Sequence, residues 1–142
     1  MPSARGARRT SKFRGMGEVL TRRGRRAEVL ISSEQVVVFQ FEMEPRMDGA
    51  SPHFHRRHVD SFYVLEGELE VTVDGEPNTF RAGDIAVATP GTVHSFRNAS
   101  DERVRFLNLH APGMRFDEYI RRMDAGEDPN GEDYDQFKPP AE

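Results

Sequence analysis

Apolar residues in the central part of this chain recur at every second position, and few folds accommodate that period. Successive side chains of a strand point to opposite faces, so the alternation marks strands with one buried face and one wet one. Val37, Phe39, Phe41 and Met43 share a face of the segment 35–43. Residues 27–31 precede it across the polar turn Ser32-Ser33-Glu34, and 61–65 and 68–73 follow, hinged at Glu66-Gly67. Asp74-Gly75 then gives a tight hairpin turn, because glycine accepts positive φ without penalty. The chain returns through Asn78-Thr79-Phe80, and residues 85–88, 93–97 and 104–110 complete the series. Short strands separated by a turn roughly every eight to twelve residues predict an all-β sandwich or barrel.

One helix is predicted. Phe116, Tyr119, Ile120 and Met123 fall at i, i+3, i+4 and i+7, with Asp117 and Glu118 in the first turn and Gly126 past the end, where dipole and stop signals place them. These patterns divide the chain into a basic, largely disordered arm over residues 1–26, a barrel with its C-terminal helix over 27–125, and an acidic tail over 126–142. Within that tail, Tyr134 and Phe137 are the residues able to pin it against the domain.

Composition removes several classes of function. The chain has 142 residues and no cysteine, which excludes disulfides, thiolate zinc sites, iron–sulfur clusters and a cysteine nucleophile. The longest apolar run is Val36-Val37-Val38-Phe39, far short of the roughly 20 residues that a helix needs to cross a bilayer. Arg8-Arg9 is followed by Arg14, Gly15, Gly17 and Glu18 rather than an apolar stretch, so an export signal is not expected and a cytoplasmic location is. Gly6, Gly15, Gly17 and Gly24 follow no strand, which excludes a dinucleotide fingerprint. Residues 1–26 hold nine Lys/Arg against one acid, whereas the rest holds eleven against twenty-three. The acidic remainder repels polyanions, and no reading helix accompanies the arm, so nucleic acid is not an expected partner.

All five histidines, His53, His55, His58, His94 and His110, lie in the β-rich part. His53 and His55 are two apart, so an extended segment points both imidazoles the same way. Asp60 stands at an odd offset from His55, which requires a short loop at 56–59 before the next strand. If Asp60 opens that strand facing inward, Phe62 and Val64 face inward behind it. His94 follows the Pro90-Gly91 turn and supplies a fourth donor. Three imidazoles and a carboxylate make a set that suits one divalent transition metal, whether iron, manganese, nickel, copper or zinc. His58 is expected in a solvated cluster with Arg56 and Arg57. His110 shares a face of the last strand with Phe106 and Asn108, and Leu107 and Leu109 share the other; the pattern leaves open which face is inward.

These residues resemble the cupin family. His53-Phe54-His55, four residues, Asp60, six residues and Gly67 match the spacing of the first cupin motif, with Asp60 where the family usually has glutamate and Gly49 displaced from the opening glycine. Gly83, then Pro90-Gly91, His94 and Asn98 match the second, with the proline shifted by one. The resemblance implies a double-stranded β-helix, or jelly-roll, barrel with a metal in its mouth and usually a homodimer. It implies His53, His55, Asp60 and His94 as ligands, with Asp60 as a ligand or alternatively as a base, and Phe41, Phe62, Phe96, Asn108 and His110 as candidate substrate contacts. Residues 62–69 and 106–113 resemble the small cupins that look like halves of quercetin-type dioxygenases. The expected function is therefore a metal-dependent enzyme, dioxygenase-like or isomerase-like, acting on a small organic molecule; the alternative is a non-catalytic cupin that binds a small ligand.

Overall fold

Burial follows the predicted alternation in residues 59–66 and 104–111, whereas residues 25–32 bury Ala27, Glu28 and Val29 in succession and residues 76–81 are mostly exposed. The computed structural model describes residues 17–141. Its strands are β1 (Glu18–Arg22), β2 (Arg25–Ser32), β3 (Val37–Met43), β4 (Met47–Asp48), β5 (Val59–Glu66), β6 (Glu68–Val73), β7 (Glu76–Arg81), β8 (Ile85–Ala88), β9 (His94–Asn98) and β10 (Val104–Ala111). They form a six-stranded sheet in the order β1-β2-β3-β10-β5-β8 and a four-stranded sheet in the order β4-β9-β6-β7. All pairs are antiparallel, as in a jelly roll.

Phe39, Phe41 and Met43 from β3, Phe62 and Val64 from β5, Leu69 and Val71 from β6 and Val104 and Phe106 from β10 meet in the core. On β10 the residues Val104, Phe106, Asn108 and His110 are buried, while Arg105, Leu107 and Leu109 are half-buried. The inward face of β10 is therefore the one carrying Asn108 and His110. Apolar side chains fill one end of the interior and imidazoles the other.

The helix forms where the spacing predicts it. Helix α1 (Phe116–Asp124) buries Phe116, Tyr119 and Ile120, with Asp117 and Glu118 in its first turn and Arg121 and Arg122 in its last. Gly126 N–H closes the end on the Met123 carbonyl at 3.0 Å. The helix is fastened to the first strands: Arg121 pairs with Glu18 at 2.8 Å and Arg25 with Asp124 at 2.7 Å, and the Ser32 hydroxyl donates to Asp117 at 2.9 Å.

Both expected boundaries shift. The barrel starts at Glu18 rather than residue 27, because β1 pairs with β2 from Glu18↔Val29 to Arg22↔Arg25. Though it lies in the arginine-rich N-terminal segment, β1 gains a ladder partner and an ion pair to α1. The rest of the predicted arm, residues 1–16, lies outside the described residues. The acidic tail folds back as a short 3-10 turn, Gly131–Tyr134, with Tyr134 and Asp135 buried. Phe54 and Phe137 exchange backbone hydrogen bonds of 3.0 and 2.9 Å, and their rings stack at 5.5 Å. No helix among the described residues is long and apolar enough to cross a membrane.

Candidate metal centre

Three short segments deliver the donors. The segment carrying His53 pairs with the start of β9, so that His53 and His94 exchange backbone hydrogen bonds of 3.0 and 2.8 Å. Two residues on, the His55 carbonyl accepts from the Gly91 N–H at 2.7 Å, which docks the Pro90-Gly91 turn beneath the histidine pair. Asp60 lies on β5 opposite Ala88 on one side and His110 on the other. Ligand atoms of His53, His55, Asp60 and His94 lie within 4.8 Å of one another, and all four residues are buried.

The tautomers follow from the partners. His53 Nδ1–H donates to the Ser51 carbonyl at 2.7 Å, His55 Nδ1–H to the Asp135 carbonyl at 2.8 Å and His94 Nδ1–H to the Thr92 carbonyl at 2.9 Å. A carbonyl only accepts, so each Nδ1 carries the proton and each neutral ring presents Nε2 as a lone pair. Yet Asp60 Oδ2 stands 2.9 Å from His94 Nε2 and 3.3 Å from His55 Nε2. Acceptors facing acceptors at these distances need a cation between them, either a proton on an imidazole or a metal ion. The donor set fits a divalent transition metal on that ground, and carbonyl-bound Nδ1 atoms are the usual way of orienting ligating histidines.

Behind Asp60 runs a buried polar chain. Asn108 Nδ2 donates to Asp60 Oδ1 at 2.7 Å and to the Ser61 carbonyl at 3.1 Å, which leaves Asn108 Oδ1 to accept from His110 Nε2–H at 2.7 Å. His110 Nδ1 and His58 Nε2 are 2.9 Å apart, and His58 Nδ1 lies 2.9 Å from Asp135 Oδ2. Two neutral imidazoles carry two ring protons for these three links. A third would make the pair cationic, and burial sets against it, pushing His58 to about 4 and His110 to about 3. His58 is thus not the solvated loop residue its neighbours Arg56 and Arg57 suggested. It is fully buried, because Asp135 supplies the counter-group.

Electrostatics separate the four donors. Burial lowers His53 to about 4, and the nearby charge of His94 adds to that. At His94 burial also works downward, but the hydrogen bond and charge of Asp60 outweigh it and raise the group above its ordinary value. Burial works to raise the Asp60 carboxyl; the charge at His110 and hydrogen bonds from His55 and His94 outweigh it and hold it well below the usual carboxylate range.

A family model for the cupin domain matches residues 39–110, half of the chain. The chain belongs to the cupin family. It is 30% identical over 79 residues to the quercetin 2,3-dioxygenase of Bacillus subtilis, covering 56% of this chain and 23% of that protein. Among solved structures, KdgF from a Halomonas species superposes with a TM-score of 0.61 at 24% identity, covering 69% of this chain and 88% of that one. A sugar phosphate isomerase of the cupin superfamily from Silicibacter pomeroyi superposes with a TM-score of 0.56 at 26% identity, covering 62% and 59%. The cupin described here spans 23%, 57% and 37% of the length of three curated relatives that it matches.

Set on this cupin barrel, the residues singled out from sequence divide into two groups. His53, His55, Asp60 and His94 come together. The others, Phe41, Phe62, Phe96, Asn108 and His110, are engaged in packing and hydrogen bonds around them. Phe41 and Phe62 belong to the packed core, and Phe96, half-buried, lies 5.2 Å from Phe62 between ring centroids. Asn108 and His110 are spent on the polar chain behind Asp60, and Phe116 of α1 stacks on His110 at 3.9 Å. A second histidine group, His55, His58 and His110, is also close-packed. There the ring nitrogens of His58 and His110 are engaged with each other and with Asp135 and Asn108. Asp135 escaped the sequence reading; its position in an acidic segment full of turn-formers gave no sign that it reaches the histidines.

Proposed function

We propose that this cupin binds one divalent transition metal through His53, His55, Asp60 and His94 and serves as a metal-dependent enzyme, dioxygenase-like or isomerase-like, on a small organic molecule. The observation that carries this is the convergence of His55 Nε2 and His94 Nε2 on the Asp60 carboxylate, with Nδ1 of each ring already turned to a backbone carbonyl. Iron, manganese, nickel, copper and zinc all suit such a nitrogen and oxygen set. When bound, the metal supplies Lewis acidity toward an oxygen of the substrate. The chain's own residues hold the geometry: carbonyls of Ser51, Thr92 and Asp135 fix the rings, Asn108 fixes the carboxylate, and the phenylalanine wall excludes water. Asp60, held well below the usual carboxylate range, is a weak base at neutral pH, which favours its role as ligand over general base.

Similarity to a quercetin 2,3-dioxygenase and to a sugar phosphate isomerase supports a small organic substrate and either of two reaction types. A second reading, a non-catalytic cupin that holds a small ligand, is favoured by closure of the site: the four donors are only 1–4% exposed. A homodimer is part of the same proposal. Tyr63 and Ile85 stand opposite each other on β5 and β8, with Val87 beside them, all exposed on the outer face, an apolar strip at the sheet edge that a second copy would cover.

The test is metal content by plasma mass spectrometry on untagged protein, with His53→Ala and His94→Ala alongside. About one ion per chain in the wild type, lost in both variants, supports the metal centre. Folded wild-type protein that neither carries nor takes up metal leaves the ligand-binding barrel. A redox-active ion directs the next step to O₂ consumption with enols and catechols; zinc directs it to isomerisation.

A further inference from the structure

Asp135 lies outside the part of the chain that matches the cupin domain, yet it makes five hydrogen bonds to the ligand-bearing segment. It is 2% exposed and takes the left-handed conformation at φ 62° that ends the 3-10 turn. Its carboxylate accepts three successive backbone N–H groups of the loop between His55 and Asp60: Arg56 on Oδ1 at 3.0 Å, Arg57 on Oδ2 at 2.8 Å and His58 on Oδ2 at 3.1 Å. The same Oδ2 faces His58 Nδ1 at 2.9 Å. Its backbone carbonyl accepts from His55 Nδ1–H at 2.8 Å. One residue thus holds His55 and the next three residues of its connection to Asp60.

We propose that Asp135 is a positioning residue of the metal centre, clamping the Arg56–His58 loop through its carboxylate and fixing His55 through its carbonyl; this rests on the metal reading given above. The loop needs such a clamp. His55 and Asp60 are five apart, and residues 56–58 must turn the chain without a ladder partner of their own before Val59 pairs with Ala111. A buried backbone N–H left unpaired is costly, and three of them are satisfied here by a single carboxylate. Charge-assisted bonds of this kind are short and directional. The neighbouring residues keep Asp135 in place without touching the donors: Tyr134 reaches Glu118 and Arg122 of α1, and Phe137 pairs with Phe54 and lies under the Arg56 guanidinium at 4.1 Å. The C-terminal segment thereby closes over the loop as a strap with the carboxylate on its inner side.

Asp135→Asn keeps the size of the side chain and tolerates the left-handed backbone, but replaces one acceptor oxygen with a donor that opposes the loop. Full-length wild type, Asp135→Asn and Tyr134→Phe are loaded with Co(II), and two quantities are read: affinity by chelator competition and the ligand-field absorption of the bound ion. Asp135→Asn is expected to weaken Co(II) binding by about 10-fold to 100-fold, the range usual for loss of an outer partner of a ligand, and to shift the absorption bands. Tyr134→Phe, which loosens the same turn from α1 but leaves the carboxylate intact, is expected to lower Tm and to weaken Co(II) binding less than Asp135→Asn does. Wild-type affinity and bands in Asp135→Asn overturn the proposal. Failure of wild type to take up Co(II) is a different result and overturns the metal reading itself. Amide exchange in the unaltered protein gives an answer even where the variant does not fold. Slow exchange at Arg56, Arg57 and His58, at the level of the strands, supports the clamp; exchange at loop rates overturns it.

Discussion

Asn108 donates to Asp60 Oδ1 at 2.7 Å, and that one bond decides which oxygen of the carboxylate faces the histidines. The amide is held in turn by His110 on its oxygen and by the Ser61 carbonyl on its nitrogen, so it cannot flip without losing both. Aspartate in place of the longer glutamate reaches the cluster because its second oxygen is anchored from behind.

Asn108→Ala should therefore leave Asp60 Oδ1 and His110 Nε2 without partners in a buried site. Each orphaned group costs about 1–3 kcal/mol, and the expected loss is about 3 kcal/mol of stability together with weaker metal binding. Urea unfolding of the metal-free protein and chelator competition on the loaded one check the two halves. Unchanged stability would show that water replaces the amide.

Acid should destabilise the metal-free protein over a definite window. Burial lowers His53 and His58 to about 4 and His110 to about 3, from an ordinary value of 6.5. Between those limits the unfolded chain binds more protons than the folded one, so stability rises with pH there. His94, raised in the fold by Asp60, works the opposite way above its ordinary value, whereas the three lowered groups dominate below it, so Tm is expected to fall as the pH drops from 6.5 toward 4. Below that, protonation of Asp60 and Asp135, both lowered in the fold, acts in the same direction. A thermal melt series in chelator-treated buffer measures it, and a Tm that is level from pH 7 to 4 contradicts it.

Gly67 should not tolerate a side chain. It sits at φ +82°, and a Cβ there would lie 2.6 Å from the Arg103 carbonyl oxygen. The left-handed conformation costs a non-glycine residue about 1–2 kcal/mol, and a clash with backbone adds about 1–3 kcal/mol. Gly67→Ala is expected to lose about 3 kcal/mol in denaturant unfolding, with metal content unaltered in whatever fraction folds.

Metal should stabilise the fold by linkage. Saturation at 100 times Kd is worth about 2.7 kcal/mol, so Tm should rise by several degrees on loading and return on chelation. His53→Ala should show no such rise. An equal rise in variant and wild type would place the ion elsewhere.

The alternation of Phe39, Phe41 and Met43 and of Phe62 and Val64 made the barrel legible, because a one-residue slip would have turned those rings to water. His53, His55, Asp60 and His94 were legible because the motif spacing binds them to strand starts. What stayed hidden depends on contacts between distant parts of the chain. Nothing near Arg56-Arg57-His58 indicates that a carboxylate 77 residues later will enter the loop. Likewise β1, set among the arginines of the N-terminal segment, reads as an arm until Arg121 supplies Glu18 with a partner 103 residues away. The inward face of β10 was ambiguous for the opposite reason: Asn108 and His110 look solvent-facing until the polar chain behind Asp60 is built.

The strap has a consequence for the order of assembly. Asp135 meets the loop across sequence separations of 77 to 80 residues, and closures of that span are recovered only after the intervening strands have paired. The centre is therefore expected to be completed no earlier than the β3–β10 pairing, whose partners are 61 to 73 residues apart. A molecule whose strap has come away would keep every strand and still lack one wall of the donor cluster, so nicking this segment is expected to disturb the centre before the sheets.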